Sequence, residues 1–535
     1  MMSGHRLLHE YLHSAAAMHP EKTALVCGGR RWTYGFIEEQ AGRLARAMAD
    51  AGTGRQDRVI ILLENSVETV IAMFGILKLG AVMVPLNHHM RAAKLEYIIR
   101  DSGARLLVTH LDKADMIAGF SPACREQLRF VWVGGSAGIP DSLAPLSTRW
   151  QDATAMGGAG CGFPSLNRSI DYDLAALIYT SGSTGEPKGV MSSHHNMISA
   201  AKSIIQYLGS TADDIVLDLL PLSFDYGLYQ VLMAFMSCGT VVLEKSFSYP
   251  IKTLELIEKE HVTGFPVMPT ILALLFGALE LGRYDLGSLR YMTNTGAALP
   301  VEHIRRLRGV LPWVKFYSMF GLTECKRVSY LPPEELDRRP LSVGKAMPNC
   351  EVFIVDEKGA EVPPGTAGEL VVRGANVMRG YWNDREATAR TFRDTGSGEA
   401  VLFSGDYFRR DEEGYLYFIG RKDDIIKTKG ERVSPRELEN ALCGMEGVAE
   451  AAVMGVPDDI LGQAIAAFIA TAEGAALSRK SVLKYCRETL EPWMVPKYLE
   501  ISTSLPKSPN GKVDREELRK RLLAMADIPA PLRRR

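Results

Sequence analysis

Residues 179–190 read YTSGSTGEPKGV. Thr180, Ser181, Ser183 and Thr184 supply hydroxyls. Gly182, Gly185 and Gly189 let backbone N–H groups converge on one anion, and Lys188 adds a positive charge. Such a set suits phosphate oxygens. It is not a Walker A loop, GxxxxGK[ST], because Pro187 precedes the lysine and Gly189 follows it. Two other strings invite catalytic readings and fail on context. His9-Glu10-Tyr11-Leu12-His13 matches the zinc motif HExxH, but no third ligand is evident and an N-terminal amphipathic helix explains it. Gly134-Gly135-Ser136-Ala137-Gly138 matches a nucleophile elbow, yet Ile139-Pro140-Asp141 reads as a turn where a helix is required. His194 and His195 either open a helix or line a substrate pocket.

Further strings stand downstream: MFGLTE (319–324), SGDYF (404–408), GRKDDIIKTKGERVSPRELE (420–439) and PKSPNGKVDREEL (506–518). With the 179–190 loop, and in this order, they resemble the motifs of the adenylate-forming superfamily. Its members are acyl-CoA synthetases, adenylation domains of nonribosomal peptide synthetases, and luciferases. The chain is most similar to a stand-alone acyl-CoA synthetase, an AMP-forming acid–CoA ligase, over nearly its full length. It departs at Phe320, where the family carries Tyr; the stacking face is kept and a hydroxyl is lost. Ser404 replaces the usual Thr and keeps the hydroxyl.

The resemblance implies a two-step reaction. ATP gives AMP to a carboxylate, with release of pyrophosphate, and the thiol of CoA (or a carrier protein's phosphopantetheine) then takes the acyl group. Carboxylate and α-phosphate are both anions, so positive charge aimed at phosphorus is the main need. The resemblance gives that role to Lys512. It places Thr323 and Glu324 in the catalytic loop, with Glu324 as the Mg2+ ligand, since a hard cation takes carboxylate oxygen and bridges phosphates. It assigns ATP binding to Thr180, Ser181, Gly182, Ser183, Thr184, Gly185, Lys188, Gly296, Ala297 and Gly321. Phe320 covers adenine, and Asp406 with Arg421 holds the ribose hydroxyls. Asp423 takes the hinge position. After rotation of the small domain, the loop with Lys429 and Gly430 helps form the pantetheine tunnel.

The acid pocket is expected from LPLSFDYGLY (220–229), GFPVMPT (264–270), YMTNTGAA (291–298) and the residues after Glu324. Its candidates are Phe224, Asp225, Tyr226, Tyr229, Met268, Thr295, Met319 and Arg327. The aromatic and Met side chains suit an acyl chain. Asp225 either holds a substrate amine, as in amino-acid-activating relatives, or caps the following helix. Lys326 and Arg327 either meet a second carboxylate or phosphate or are surface charge. Two substrate classes follow: a fatty or other simple acid destined for CoA, and an amino acid destined for a carrier protein. No carrier domain follows the Lys512 motif, which favours CoA.

These residues need elements to position them. Short β-branched runs at 59–63, 105–109, 174–180, 215–220, 240–243, 289–293 and 314–319 alternate with helical patterns such as 64–80. That alternation predicts an α/β fold, with mostly parallel sheets flanked by helices. After Pro348 the period changes to two, and 351–374 and 401–420 read as antiparallel hairpins, a β-rich subdomain. The charged stretch after Gly420 predicts a boundary, dividing 1–420 from a small mobile α+β C-terminal domain, 421–535. The composition, 46% hydrophobic and 23% charged with a net charge of −1, excludes a disordered chain and gives no case for nucleic acid. Arg533, Arg534 and Arg535 read as a solvated tail. Eight scattered cysteines form no CxxC, the opening MMSGHRLLHEYLH has no signal-peptide apolar stretch, and no apolar run is long enough to span a membrane. A cytoplasmic location is the expectation.

Overall fold

The computed structural model describes residues 4–524, apart from 136–137, 156–167, 182–185, 246, 248, 279–280, 297–298, 300, 395–399, 422–423, 425, 429–430, 459–460 and 509–511. The predicted α/β alternation builds two large sheets. In the first, the order is Ser147–Arg149, Arg129–Val133, Leu106–His110, Arg58–Leu62, Val82–Pro85, Leu174–Ser181 and Pro187–Ser193. Every pairing is parallel except the last, a hairpin. The second sheet runs Lys345–Ala346, Ser329–Leu331, Lys315–Phe320, Tyr291–Asn294, Gly264–Val267, Ile215–Asp218, Thr240–Leu243, Thr23–Cys27 and Arg30–Thr33. Its interior pairings are parallel and its two ends antiparallel. Interior strands such as Val82–Pro85 and Gly264–Val267 are buried at every residue, as helices on both faces of a parallel sheet require.

Helix Val67–Leu79 shows how the sheets are joined. Ser66 caps it by accepting from Thr69 N at 3.2 Å, and Gly80 ends it at φ +78°. It is buried on nearly all sides. A Cβ on Gly75 would come within 3.0 Å of Ala41 O on helix Tyr34–Asp50, so glycine there permits a close helix crossing. Phe74 stacks on Phe235 of helix Asp225–Met236 with ring centres 5.3 Å apart. One continuous apolar cluster therefore runs between both sheets.

The change of period after Pro348 corresponds to an antiparallel sheet of Cys350–Val355, Gly368–Gly374, Phe392–Asp394, Ala400–Arg410 and Leu416–Arg421. Beyond it, the small C-terminal domain has its own sheet, in which Val448–Asp458 and Gly462–Thr471 pair along their lengths. Alternate residues of these strands feed two separate cores. Val453 and Ala467 face one, and Ala452 and Phe468 the other. Helices Pro435–Cys443 and Arg479–Thr489 contribute to the first core, and Arg515–Ala524 to the second.

Among the described residues, no helix is long and apolar enough to cross a membrane. His9 is half-buried in helix Leu8–Met18, and dehydration of its ring lowers its pKa to about 3. His13, on the same helix, bonds Glu38 at 2.9 Å. His194 opens helix His194–Leu208, and its Nδ1 accepts from Leu8 N at 3.2 Å, so it does not line a pocket. Ser136 lies outside the described residues, and no helix follows strand Arg129–Val133 directly.

Candidate active site

The hairpin Leu174–Ser181/Pro187–Ser193 carries the first residues expected at the nucleotide. Thr180 lies opposite Lys188. Gly182, Ser183, Thr184 and Gly185 lie outside the described residues. The second strand of this hairpin is absent from the sequence reading, because PKGVMSS begins with Pro and Gly and lacks a clean alternation. The Lys188 ammonium stands 3.1 Å from Asp384 and 5.5 Å from the centre of the Tyr381 ring. The Asp384 carboxyl is held below its ordinary range by the Ala387 N–H, with help from Lys188. Tyr381 in turn donates to Glu324 Oε1 at 2.6 Å. One ring thus links the phosphate-loop lysine to the expected metal ligand.

Asp406 and Arg421 are direct cross-strand partners, with Nε and Oδ1 3.2 Å apart. Burial pushes the Asp406 carboxyl up to about 6, against the pull of Arg421. A register shift in the pairing of Gly368–Gly374 with Ala400–Arg410 precedes this point. Ser404 donates to Leu370 O at 2.7 Å and accepts from Asp406 N at 3.1 Å. The hydroxyl at 404 therefore fixes the backbone that presents Asp406. Phe320 packs edge-on to Phe408 at 4.8 Å and across Phe418 at 6.0 Å, beside the same strands.

Strands Lys315–Phe320 and Ser329–Leu331 are antiparallel neighbours, and Val328 N bonds Phe320 O at 2.9 Å. The intervening residues are looped out, and they include Gly321, Thr323, Glu324, Lys326 and Arg327. The loop is held firmly. A Cβ on Gly321 would lie 2.2 Å from Lys326 O, so only glycine allows this close approach. Lys326 has φ +62°. Buried Asn376 donates to Cys325 O and Arg327 O, each at 2.9 Å. Met378 N bonds Glu324 O at 2.8 Å.

A cleft of about 70 Å³ opens beside the loop. Phe224, Asp225, Tyr226, Tyr229, Thr295 and Arg327 line it, as expected, together with Gly296, Gly321, Thr323 and Lys512. Lys512 comes from the small domain, at a turn closed by Ser508 N bonding Lys512 O at 2.7 Å. A Cβ on Gly296 would meet Phe224 at 3.6 Å, Lys512 Cε at 3.7 Å and Met268 at 3.8 Å. These four residues from distant parts of the chain converge on one point. The Lys512 ammonium is held below the ordinary lysine value by dehydration and then by Arg421, against Asp406 and Asp225. The residue is nonetheless open to solvent, so this is the dehydration of a wet cleft rather than a core.

Two expectations need correction. Asp225 is not a helix cap. Phe224 is the N-cap residue, and Asp225 is the first helical residue, its carboxylate 2.7 Å from Lys326 Nζ. Nor are Lys326 and Arg327 surface charge; they are 6% and 4% exposed. Met319 lies behind the cleft, its sulfur accepting from Tyr207 OH at 2.9 Å. Thr295 Oγ1 is buried without a partner. The sequence reading misses Ile204 and Leu322 in the lining. Ile204 belongs to the apolar stripe of helix His194–Leu208, which is visible in sequence, but the stripe does not say what it faces. Ala297, Asp423, Lys429 and Gly430 lie outside the described residues, as do the side-chain surroundings of Ser181.

Comparison with known proteins adds independent findings. The AMP-binding enzyme profile matches residues 12–382, and the AMP-binding enzyme C-terminal domain matches residues 437–512. The chain is 33% identical over 541 residues to a long-chain-fatty-acid–CoA ligase of Bacillus subtilis (strain 168), covering 97% of this chain and 94% of that one. It is 32% identical over 510 residues to a feruloyl-CoA synthase of Amycolatopsis sp, covering 95% and 97%. The crystal structure of the anthranilate CoA ligase AuaEII with anthranoyl-AMP superposes with a TM-score of 0.84 at 28% identity, covering 96% and 97%.

Proposed function

Because the chain belongs to the AMP-binding enzyme family, as an AMP-forming acid–CoA ligase, we propose that it activates a small, compact carboxylic acid and passes it to CoA. The observation that carries this reading is the convergence of Lys512, Gly296 and Phe224 in one cleft with Thr323. A carboxylate oxygen attacks the α-phosphorus of ATP and pyrophosphate leaves. The CoA thiolate then attacks the acyl carbon and AMP leaves. Lys512 offsets the charge gathering at phosphorus, where its own repulsion from Arg421 is relieved by the incoming anions. Asp406 and Arg421 hold the ribose, and Phe320 covers the adenine.

Glu324 fits a magnesium ion. It would offer the ion one hard carboxylate, held in place by Tyr381 at Oε1. When bound, the ion neutralises phosphate charge. The domain boundary falls at Gly420, with Asp423 as hinge and Lys429 and Gly430 serving the thiol step after rotation. The sparse free cysteines agree with a cytoplasmic setting.

The size of the cleft supports a compact acid. At about 70 Å³ it is roughly half the size of a cavity of about 150 Å³ that holds benzene. The amino-acid reading loses its support because Asp225, the one carboxylate lining the cleft among the described residues, is already occupied by Lys326. The test is AMP and pyrophosphate release from ATP over fatty, aromatic, dicarboxylic and amino acids, with and without CoA. CoA-dependent AMP turnover with short acids is the expected result. Activity confined to amino acids and indifferent to CoA would overturn the reading.

A further inference from the structure

The acid end of the cleft has an unbalanced charge. Lys326 and Asp225 cancel each other at 2.7 Å, with side chains only 2% and 13% exposed. Arg327 is left over. It is 4% exposed, and its guanidinium lies over the Tyr226 ring at 5.4 Å. The Tyr207 hydroxyl takes a hydrogen bond from it. Its Nε is buried with no partner, and among the described residues no carboxylate faces it in an ion pair. A guanidinium carries five donors in a planar fork and stays charged at any physiological pH. A buried cation without a counter-ion is costly to a fold, and this residue lines the same cleft as Lys512. Its position is also fixed in advance, by Asn376 on its carbonyl and by the close approach at Gly321. Preorganised, desolvated and unpaired donors are what a ligand's anionic group requires.

We propose that the acid carries a second carboxylate, received by Arg327 in the cleft that Lys512 also lines. This rests on the acid–CoA ligase reading above and narrows its substrate to a short dicarboxylic acid. An ammonium at that position would meet Arg327 with no free carboxylate to offset it, because Lys326 already fills Asp225. A methyl end would leave the fork dehydrated and unpaired.

The experiment compares acids of equal length in CoA-dependent AMP release: butanoate, succinate and 4-aminobutanoate, then pentanoate and glutarate. Charge-assisted hydrogen bonds are worth about one to two decades in such a comparison. The diacids are therefore expected to exceed the methyl-ended acids in kcat/KM by at least about tenfold, with the ammonium-ended acid lowest. Arg327→Met and Arg327→Lys should both shrink the diacid-to-monoacid ratio, chiefly through the KM for the diacid. Equal or better turnover of the methyl-ended acids by the unaltered protein overturns the inference and leaves the ligase reading standing. Absence of CoA-dependent AMP release with every acid overturns the ligase reading. In that case thermal-shift titration with the same acids, which needs no turnover, still decides: stabilisation by succinate or glutarate above butanoate and pentanoate supports the Arg327 site, and no difference removes it.

Discussion

On the side where the nucleotide is proposed to bind, Asp406 is closed off with its side chain 6% exposed while its partner Arg421 stays 62% exposed. At the acid end, Asp225 and Lys326 are both closed off, 13% and 2% exposed. Lys512 stands between the two and feels Arg421, Asp406 and Asp225 together. Each pair joins a carboxylate to a cation, yet only one can change partner. Arg421 can move toward solvent or ligand and stay hydrated, and on the ribose-holding role proposed for Asp406 the incoming hydroxyls take its place on that carboxylate. Neither Asp225 nor Lys326 has that freedom, since parting them leaves two buried ions unpaired. The open pair serves a ligand that comes and goes. The closed pair sets the shape and charge of the wall.

The largest effect should come from the group between the pairs. Lys512→Ala should slow adenylation, read as pyrophosphate release, by about 100- to 1000-fold. Thioester formation from supplied acyl-adenylate should fall less than tenfold. Equal loss of both half-reactions would break the assignment of Lys512 to the first.

Stability separates the pairs next. Asp225→Ala strands Lys326 and should cost about 3–5 kcal/mol in urea denaturation. Asp406→Ala should cost clearly less, because the exposed Arg421 can turn to water. Asp225→Leu combined with Lys326→Met should recover most of the loss. Similar costs for the two single variants, or no recovery in the double variant, would erase the contrast.

The smallest effect is in pH. The Asp406 carboxyl titrates near 6 in the folded chain against an ordinary 3.8, because burial disfavours the charged form. Folded protein therefore holds this proton more tightly than unfolded chain. The group costs stability as pH rises from 3.8 to about 6, and the cost is constant above that. On the ribose-holding role proposed for Asp406, the hydroxyls need the anion. Between pH 7 and 5.5 the ionised fraction falls, so KM for ATP should rise about fourfold. The rise should be missing in Asp406→Asn; an identical rise there would assign it to another group.

Much of the fold was legible because parallel strands buried on both faces are near-continuous apolar runs, and 59–63, 174–180 and 240–243 lie within a residue or so of the strands observed. The hairpin strand Pro187–Ser193 was not, since it begins with Pro and Gly. In the site, the ordered strings contain the candidates Thr323, Asp406, Arg421 and Lys512. They could not settle Asp225. Whether a carboxylate is free or paired depends on a side chain 101 residues away, and nothing local records that distance. Burial of Lys326 and Arg327 was illegible for the same reason. Two adjacent cations look like surface until Gly321 is seen to admit them under the loop.

The seating of Arg327 on the same loop as Glu324 has a consequence for how such a protein diversifies. Ile204 and Tyr229 sit on two helices of the large domain. Either can drift, deepening or filling the cleft, while the sheet that carries Asp406 and Arg421 is untouched. Residues 321–327 allow no such division of labour. A change that retunes the choice of acid there also shifts the backbone under Thr323 and Glu324. An inherited or engineered switch of substrate is cheapest when it starts on the helices and reaches the loop last.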